Sequence, residues 1–217
     1  MIVTIAIPEL TLYPDGFPSH WLHIISVGFL GNRLDAYKIH AIITTYVRLV
    51  EGAYVHYKNA RQHVQAFWNT HDSIAIGSSN LSATYFEDCI NSMHRAVLCM
   101  KRIRSYPEVP AGLKNLFPKK PQFTTDAVAN RIRGIRDAIQ HMDELVLKET
   151  IPENTPFMLI ANGPETPVLD SDQLNQTLKV IDRLTIGSDE VLFAELVTWL
   201  HEMGECAEVI SKYKRPK

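Results

Sequence analysis

Residues 124–148, TTDAVANRIRGIRDAIQHMDELVLK, are the most regular stretch of the chain. Their apolar residues recur at three- or four-residue steps, which keeps them on one side of a helix that turns by about 100° per residue. Thr124 or Thr125 precedes them and can accept a hydrogen bond from a free backbone N–H group of the first turn. The pattern predicts an amphipathic helix. Its apolar stripe consists of Val128, Ile132, Ile135, Ile139, Met142 and Val146.

Two longer helical patterns precede this helix. The first begins at Asn32, a suitable cap, runs to about residue 58 and continues weakly toward Trp68. After the small polar residues 77–80, a second series extends from Leu81 to Met100. Four prolines between residues 107 and 121 then interrupt the helical pattern, because proline removes a backbone donor and clashes with the preceding turn.

The two ends of the chain contain strand-like and helical patterns. The apolar runs 2–7 and 157–161 lie beside prolines and turn residues, so each predicts a short strand, and we expect the two strands to pair. Two more helical patterns close the chain, one from Leu174 to Leu184 and one from Val191 to Ile210.

Together these patterns predict a mainly α protein, a bundle of four to six helices with a small β element formed by residues 2–7 and 157–161. A chain of 217 residues buries an ample core without a disulfide, so one domain over residues 1–217 is expected. Residues 32–148 form its helical core, residues 1–31 an N-terminal arm, and residues 152–217 a C-terminal extension with a strand, a turn and helices.

The composition is that of a globular protein, with 46% hydrophobic residues and a formal net charge of -2. Contact with nucleic acid would therefore need a local cluster of Lys and Arg. The three cysteines lack Cys-x-x-Cys spacing, which favours reduced thiols and a cytoplasmic location. No apolar run approaches the roughly 18 residues of a membrane helix, and no basic leader is present, so we expect neither a membrane span nor secretion.

The sequence lacks the strong signatures of several enzyme classes. It contains no Walker phosphate loop, no dinucleotide glycine fingerprint, no His-Glu-x-x-His and no Gly-x-Ser-x-Gly. None of the nine histidines follows a glutamate by three residues, which argues against a di-iron bundle. His56 and His63 share a helix face, but no third or fourth ligand is apparent, so ordinary histidines are favoured over a metal site. We expect no metal and no cofactor.

The polar face of the helix in residues 124–148 brings several functional groups together. Relative to the apolar stripe, Arg136 lies near +80°, Asp137 near 180° and His141 near 220°, at about 100° per residue. Three more polar residues fall on the same outward arc. They are Arg133, Gln140 and Glu144.

An arginine and a histidine on one exposed face are suited to phosphodiester chemistry. The Arg136 guanidinium can hold and neutralise a phosphate, and the His141 imidazole can move a proton. The ribose 2′-hydroxyl would be the nucleophile, so no metal is required. The alternative is a plain solvated face, in which Arg133 and Asp137 form a pair worth a few tenths of a kcal/mol. The looser spacing of Arg33 and His40 shows that such matches also arise elsewhere in the chain.

The segment 136–141, RDAIQH, resembles the Arg-polar-x-x-x-His motif of the HEPN superfamily. The resemblance covers residues 32–148 and implies a helical bundle with the motif on a late helix. It also implies a metal-independent endoribonuclease acting on single-stranded RNA, with a composite site at a homodimer interface and an antitoxin or regulatory protein as partner. Arg136 and His141 would be catalytic, and Asp137 would take the supporting polar position. Asp143 stands where many toxin members have a tyrosine, so regulation through that tyrosine is not implied.

Two other functions remain open. The same fold serves as a non-catalytic helical interaction or binding module, in which this face binds a partner or a second copy. A small-molecule site lined by aromatic residues is the third interpretation, although aromatics at helical spacing more often belong to the core. The aromatic residues concerned are Tyr37, Tyr46, Tyr54 and Trp68.

Overall fold

The computed structural model describes residues 1–10, 37–69, 75–150, 156–169 and 175–212. Within these ranges the chain is mainly helical with a small β element, as predicted. The helices are α1 (Tyr37–Asn69), α2 (Ile76–Ser105), α3 (Ala111–Leu116), α4 (Asp126–Leu147) and α5 (Phe193–Lys212), with a 3-10 turn at Gln122–Thr124.

The long helices extend beyond their predicted bounds. The weak continuation toward Trp68 belongs to α1, while the predicted cap at Asn32 lies outside the described residues. Residues 77–80, predicted as a break, form the first turn of α2, where the N–H groups of Ser78 and Ser79 donate to the Ala75 carbonyl. Small polar residues suit this position because the first N–H groups of a helix have no partner within the helix.

Six strands form two small sheets in the described residues. The strands are β1 (Ile2–Ile5), β2 (Ile160–Asn162), β3 (Glu165–Leu169), β4 (Asn175–Ile181), β5 (Arg183–Ile186) and β6 (Asp189–Leu192). The first sheet has the order β1-β4-β3, with β1 parallel and β3 antiparallel to β4. The second has the order β2-β5-β6 and is antiparallel throughout.

Three sequence predictions about the ends are wrong. The segment 174–184 was expected to be a helix, but its described residues form β4 and the first two residues of β5, because the central strand β4 supplies backbone partners to both β1 and β3. The predicted strands do not pair with each other: β1 pairs with β4, and β2 with β5. The last helix begins at Phe193, since Val191 and Leu192 belong to β6.

The chain divides into two compact units. Unit 1 comprises Met1–Glu9, His56–Asp88 and Gly134–Val197, and unit 2 comprises Leu10–Val55, Cys89–Arg133 and Thr198–Lys217. All six strands lie in unit 1. The single domain over residues 1–217 stays a prediction.

Each unit has its own long-range hydrogen bonds from buried tyrosines. In unit 1 the Tyr57 hydroxyl donates to the Pro8 carbonyl at 2.7 Å, which fixes the chain after β1 against α1. In unit 2 two hydroxyls of α1 donate to main-chain carbonyls of α5. These bonds run from Tyr46 to Met203 at 2.9 Å and from Tyr54 to Leu200 at 3.1 Å.

Candidate functional site

Helix α4 carries the predicted motif, and its N-terminal end is formed as the sequence predicts. The Thr125 hydroxyl accepts a hydrogen bond from the Val128 N–H at 3.4 Å and donates to the Gln122 carbonyl at 2.7 Å. The predicted stripe is buried at its centre, while Val146 near the C-terminal end is 48% exposed. The fully buried side of α4 consists of Ala129, Ile132, Ile135, Ala138 and Met142.

The three motif residues lie on the opposite, solvent-accessible side of α4. The side chains of Arg136, Asp137 and His141 are 30%, 45% and 54% exposed. Arg136 Nη1 donates to Asp137 Oδ1 at 2.9 Å, and His141 Nδ1 lies 3.5 Å from Glu144 Oε1. Exposed pairs of this kind contribute about 0–1 kcal/mol, so either basic group can exchange its carboxylate for another anion.

One copy of α4 does not aim both catalytic candidates at the same point. Arg136 and His141 are separated by five positions, which corresponds to about 7.5 Å along the helix and about 140° around it. The guanidinium is also turned toward Asp137, its immediate neighbour. A site that uses both groups on one phosphate therefore needs a second element to complete it.

Unit 1, which contains the motif, is rich in acidic residues. The ranges of unit 1 contain six Lys and Arg residues and sixteen Asp and Glu residues. Glu87 is half-buried in this unit, and burial raises the pKa of its carboxyl, while a hydrogen bond with the backbone of Leu159 opposes the shift. No sequence pattern singles out Glu87, because its burial and its partner both depend on the tertiary structure.

The remaining histidine candidates do not form a metal site. The rings of His56 and His63 both pack against Tyr85, with centroid distances of 6.1 and 5.5 Å. Across the described ranges, no group of three or more His, Cys, Asp or Glu side chains could hold a metal ion. Arg33 and the side chain of His40 lie outside the described part of the chain.

The aromatic residues proposed for a small-molecule pocket have structural roles where they are described. Tyr46 and Tyr54 are 0% and 7% exposed and make the hydrogen bonds given above, so they are core residues. Trp68 packs edge-on against Phe67, and the Lys179 ammonium lies 5.9 Å from the centroid of a Trp68 ring. The side chain of Tyr37 lies outside the described residues.

Two further sequence predictions concern the state of the cysteines and the absence of a membrane-spanning helix. All three cysteines are free and buried, as the absence of paired spacing predicts. Among the residues that the structure describes, no helix has the length and apolar character to span a membrane.

Comparison with known proteins gives no family. No protein-family model matches the chain, and no match was found among curated proteins or solved structures.

Proposed function

We propose that the chain is a HEPN-like, metal-independent endoribonuclease that cleaves single-stranded RNA as a homodimer, with Arg136 and His141 as its catalytic pair. The observation that carries the proposal is the position of the motif. Arg136, Asp137 and His141 all reach solvent from a helix whose other side is buried, so none of them is part of the hydrophobic core.

Each group has a definite role in the proposed reaction. The Arg136 guanidinium binds the scissile phosphate and neutralises its charge, with Asp137 positioning it through the 2.9 Å hydrogen bond. The ribose 2′-oxygen attacks phosphorus while His141 takes its proton, and the 5′-oxygen leaves with a proton returned by an imidazole. The products are a 2′,3′-cyclic phosphate and a 5′-hydroxyl, so atoms and charge balance without a metal ion.

The separation of Arg136 and His141 supports a composite site. Because one helix spreads the two groups by about 140°, a second α4 related by a two-fold axis would supply the missing partner. By the same resemblance, we propose an antitoxin or other regulatory protein as partner, in a toxin–antitoxin or defence setting.

The test is cleavage of a generic single-stranded RNA in the presence of a chelator. Wild type should release 2′,3′-cyclic phosphate ends, while Arg136→Ala and His141→Ala should lose at least about 100-fold in rate, the contribution typical of a positioned proton-transfer group. Arg133→Ala is the matched control, since it removes an exposed arginine from the same helix without touching the motif. Equal activity of both motif variants and the control would refute the assignment.

Mixing the two inactive variants tests the dimer. If Arg136 of one copy acts with His141 of the other, a mixture of Arg136→Ala and His141→Ala regains activity, because mixed dimers contain one complete site. If the mixture stays inactive while both variants form mixed dimers, the composite arrangement is wrong.

A second candidate function is a non-catalytic interaction module. It is favoured by the carboxylates beside Arg136 and His141 and by the acidic character of unit 1, both of which oppose the approach of RNA. A folded, dimeric wild-type protein that cleaves no RNA would select this alternative.

A further inference from the structure

Unit 2 has a charge balance opposite to that of unit 1. Its ranges contain sixteen Lys and Arg residues and eight Asp and Glu residues, although the whole chain carries a formal net charge of only -2. The near-neutral total therefore conceals a strongly basic unit. A local excess of positive charge attracts polyanions even where the net charge of the protein does not.

Three arginines of unit 2 converge on one place. Arg95 and Arg102 lie seven positions apart on α2, which places them two turns apart on one face, with Cys99 between them. Arg48 of α1, like Arg95 and Arg102, is close enough to the Cys99 thiol to lower its pKa electrostatically, so the three guanidinium groups lie in the vicinity of one side chain. All three arginines are exposed. We call this surface the arginine face.

In the described part of the chain, none of the three arginines forms an ion pair that would supply a counter-charge. Cys99 does not supply one, because burial raises the pKa of its thiol, and this effect outweighs that of the nearby arginines. By contrast, Lys101 in the same helix pairs with Asp126 at 2.9 Å. The repulsion among three neighbouring cations is relieved when an anion binds.

The spacing of the face indicates the kind of anion. Arg95 and Arg102 are anchored about 10 Å apart along α2, a spacing from which the two side chains can reach two phosphates of one strand. Leu98 lies between them on the sequence and is 42% exposed, which offers an apolar contact to a base. Guanidinium groups also bind phosphate oxygens in a bidentate manner.

We infer that the arginine face, formed by Arg48, Arg95 and Arg102 with Leu98, binds the phosphodiester backbone of single-stranded nucleic acid. The inference goes beyond the proposed cleavage reaction, because backbone binding needs neither the motif of α4 nor a 2′-hydroxyl. It assigns a binding surface to residues of unit 2 that are not part of the α4 motif.

The experiment is fluorescence anisotropy of a short labelled oligo(dT) titrated with the full chain. Oligo(dT) has no 2′-hydroxyl and cannot be cleaved by the proposed mechanism, so the result is independent of the proposed function. Three phosphate contacts predict a slope of log affinity against log salt of about -2, or about a twentyfold loss between 50 and 200 mM salt. Each arginine removed should make the slope shallower by about 0.7.

The decisive comparison is between two double variants that remove the same charge. Arg95→Gln/Arg102→Gln should weaken binding and flatten the salt dependence, while Lys58→Gln/Lys148→Gln, which changes two exposed residues of unit 1, should leave both unchanged. Equal loss in the two variants would show only general electrostatics and overturn the site. Wild-type binding by the arginine variant would also overturn it.

A competition experiment separates nucleic acid from an acidic protein as the partner. If poly-glutamate displaces the oligonucleotide as effectively as unlabelled oligo(dT) at equal charge, the face recognises negative charge alone and the nucleic-acid assignment fails.

Discussion

Replacing Gly163 by alanine should destabilise unit 1, because the residue lies where the chain leaves β2 and enters β3 in the other sheet. A Cβ atom at this position would lie 1.6 Å from the Val180 carbonyl oxygen and 2.8 Å from its carbon. Both are main-chain atoms of β4, so no side-chain rotation removes the clash.

The size of the effect follows from the hydrogen bonds that hold Gly163 in place. The Val180 N–H donates to the Pro164 carbonyl and the Asp182 N–H to the Asn162 carbonyl, each at 3.1 Å. Moving the chain far enough to admit a methyl group breaks both bonds. Each hydrogen bond contributes about 0.5–1.5 kcal/mol, so losing both should lower the free energy of unfolding by about 2 kcal/mol. For a chain of this size, that corresponds to a Tm lower by about 4–8 °C.

Gly134→Ala is the matched control, because it makes the same chemical change in the same unit. Gly134 is exposed within α4, and a Cβ atom there meets nothing within 4 Å. Alanine is favoured over glycine in a helix by about 0.5–1 kcal/mol, so this variant should be more stable than wild type. Thermal unfolding followed by circular dichroism measures both. A Gly163→Ala protein that melts with or above wild type would refute the reasoning.

Three further predictions concern buried polar groups. Glu87→Gln should raise the free energy of unfolding at pH 7, because burial raises the pKa of the Glu87 carboxyl and opposes its charged form. The gain should vanish at a pH below the ordinary carboxyl pKa of 4.5, where the acid is neutral in both the folded and the unfolded state. Urea titrations at pH 7 and at a pH below 4.5 measure the difference. Tyr46→Phe removes the hydroxyl that donates to Met203 at 2.9 Å and should cost about 1 kcal/mol, and an unchanged urea midpoint would contradict that role. Burial raises the pKa of Cys206 to about 12 from 9.0, so the folded state keeps a proton that the unfolded chain loses. Stability should therefore fall as the pH rises above 9.0, and less steeply in Cys206→Ala; parallel pH profiles of the two proteins would argue against this assignment.

The four long helices were predictable because their evidence is local. In α4, the spacing of Ile132, Ile135 and Met142 and the cap at Thr125 are enough to place the helix and its polar face. The sheet was not predictable in the same way. Leu178, Ile181 and Leu184 recur at three-residue steps, which fit a helix, whereas the strand depends on pairing of β4 with its neighbour β3 and with β1, which is distant in sequence.

The candidate site likewise has features that local sequence predicts and features that depend on the tertiary structure. Sequence spacing identified Arg136, Asp137 and His141 and placed them away from the apolar stripe. The alternative of a solvated face included a pair between Arg133 and Asp137, whereas Asp137 accepts a hydrogen bond from Arg136. The sequence predicts that Arg95 and Arg102 share a face of α2, because they are seven residues apart. It does not predict that Arg48 lies near them, because that depends on the packing of α1.

By itself, the sequence determined the four long helices, the exposed polar face of α4 and the unpaired cysteines, since these depend on spacing within a single segment. Only the tertiary structure decided the pairing of β1 with β4, the half-burial of Glu87 and the charge balance of the two units. Each of these properties joins residues far apart in the chain. Such contacts arise from packing between segments, and the sequence of one segment does not specify which other segment it packs against.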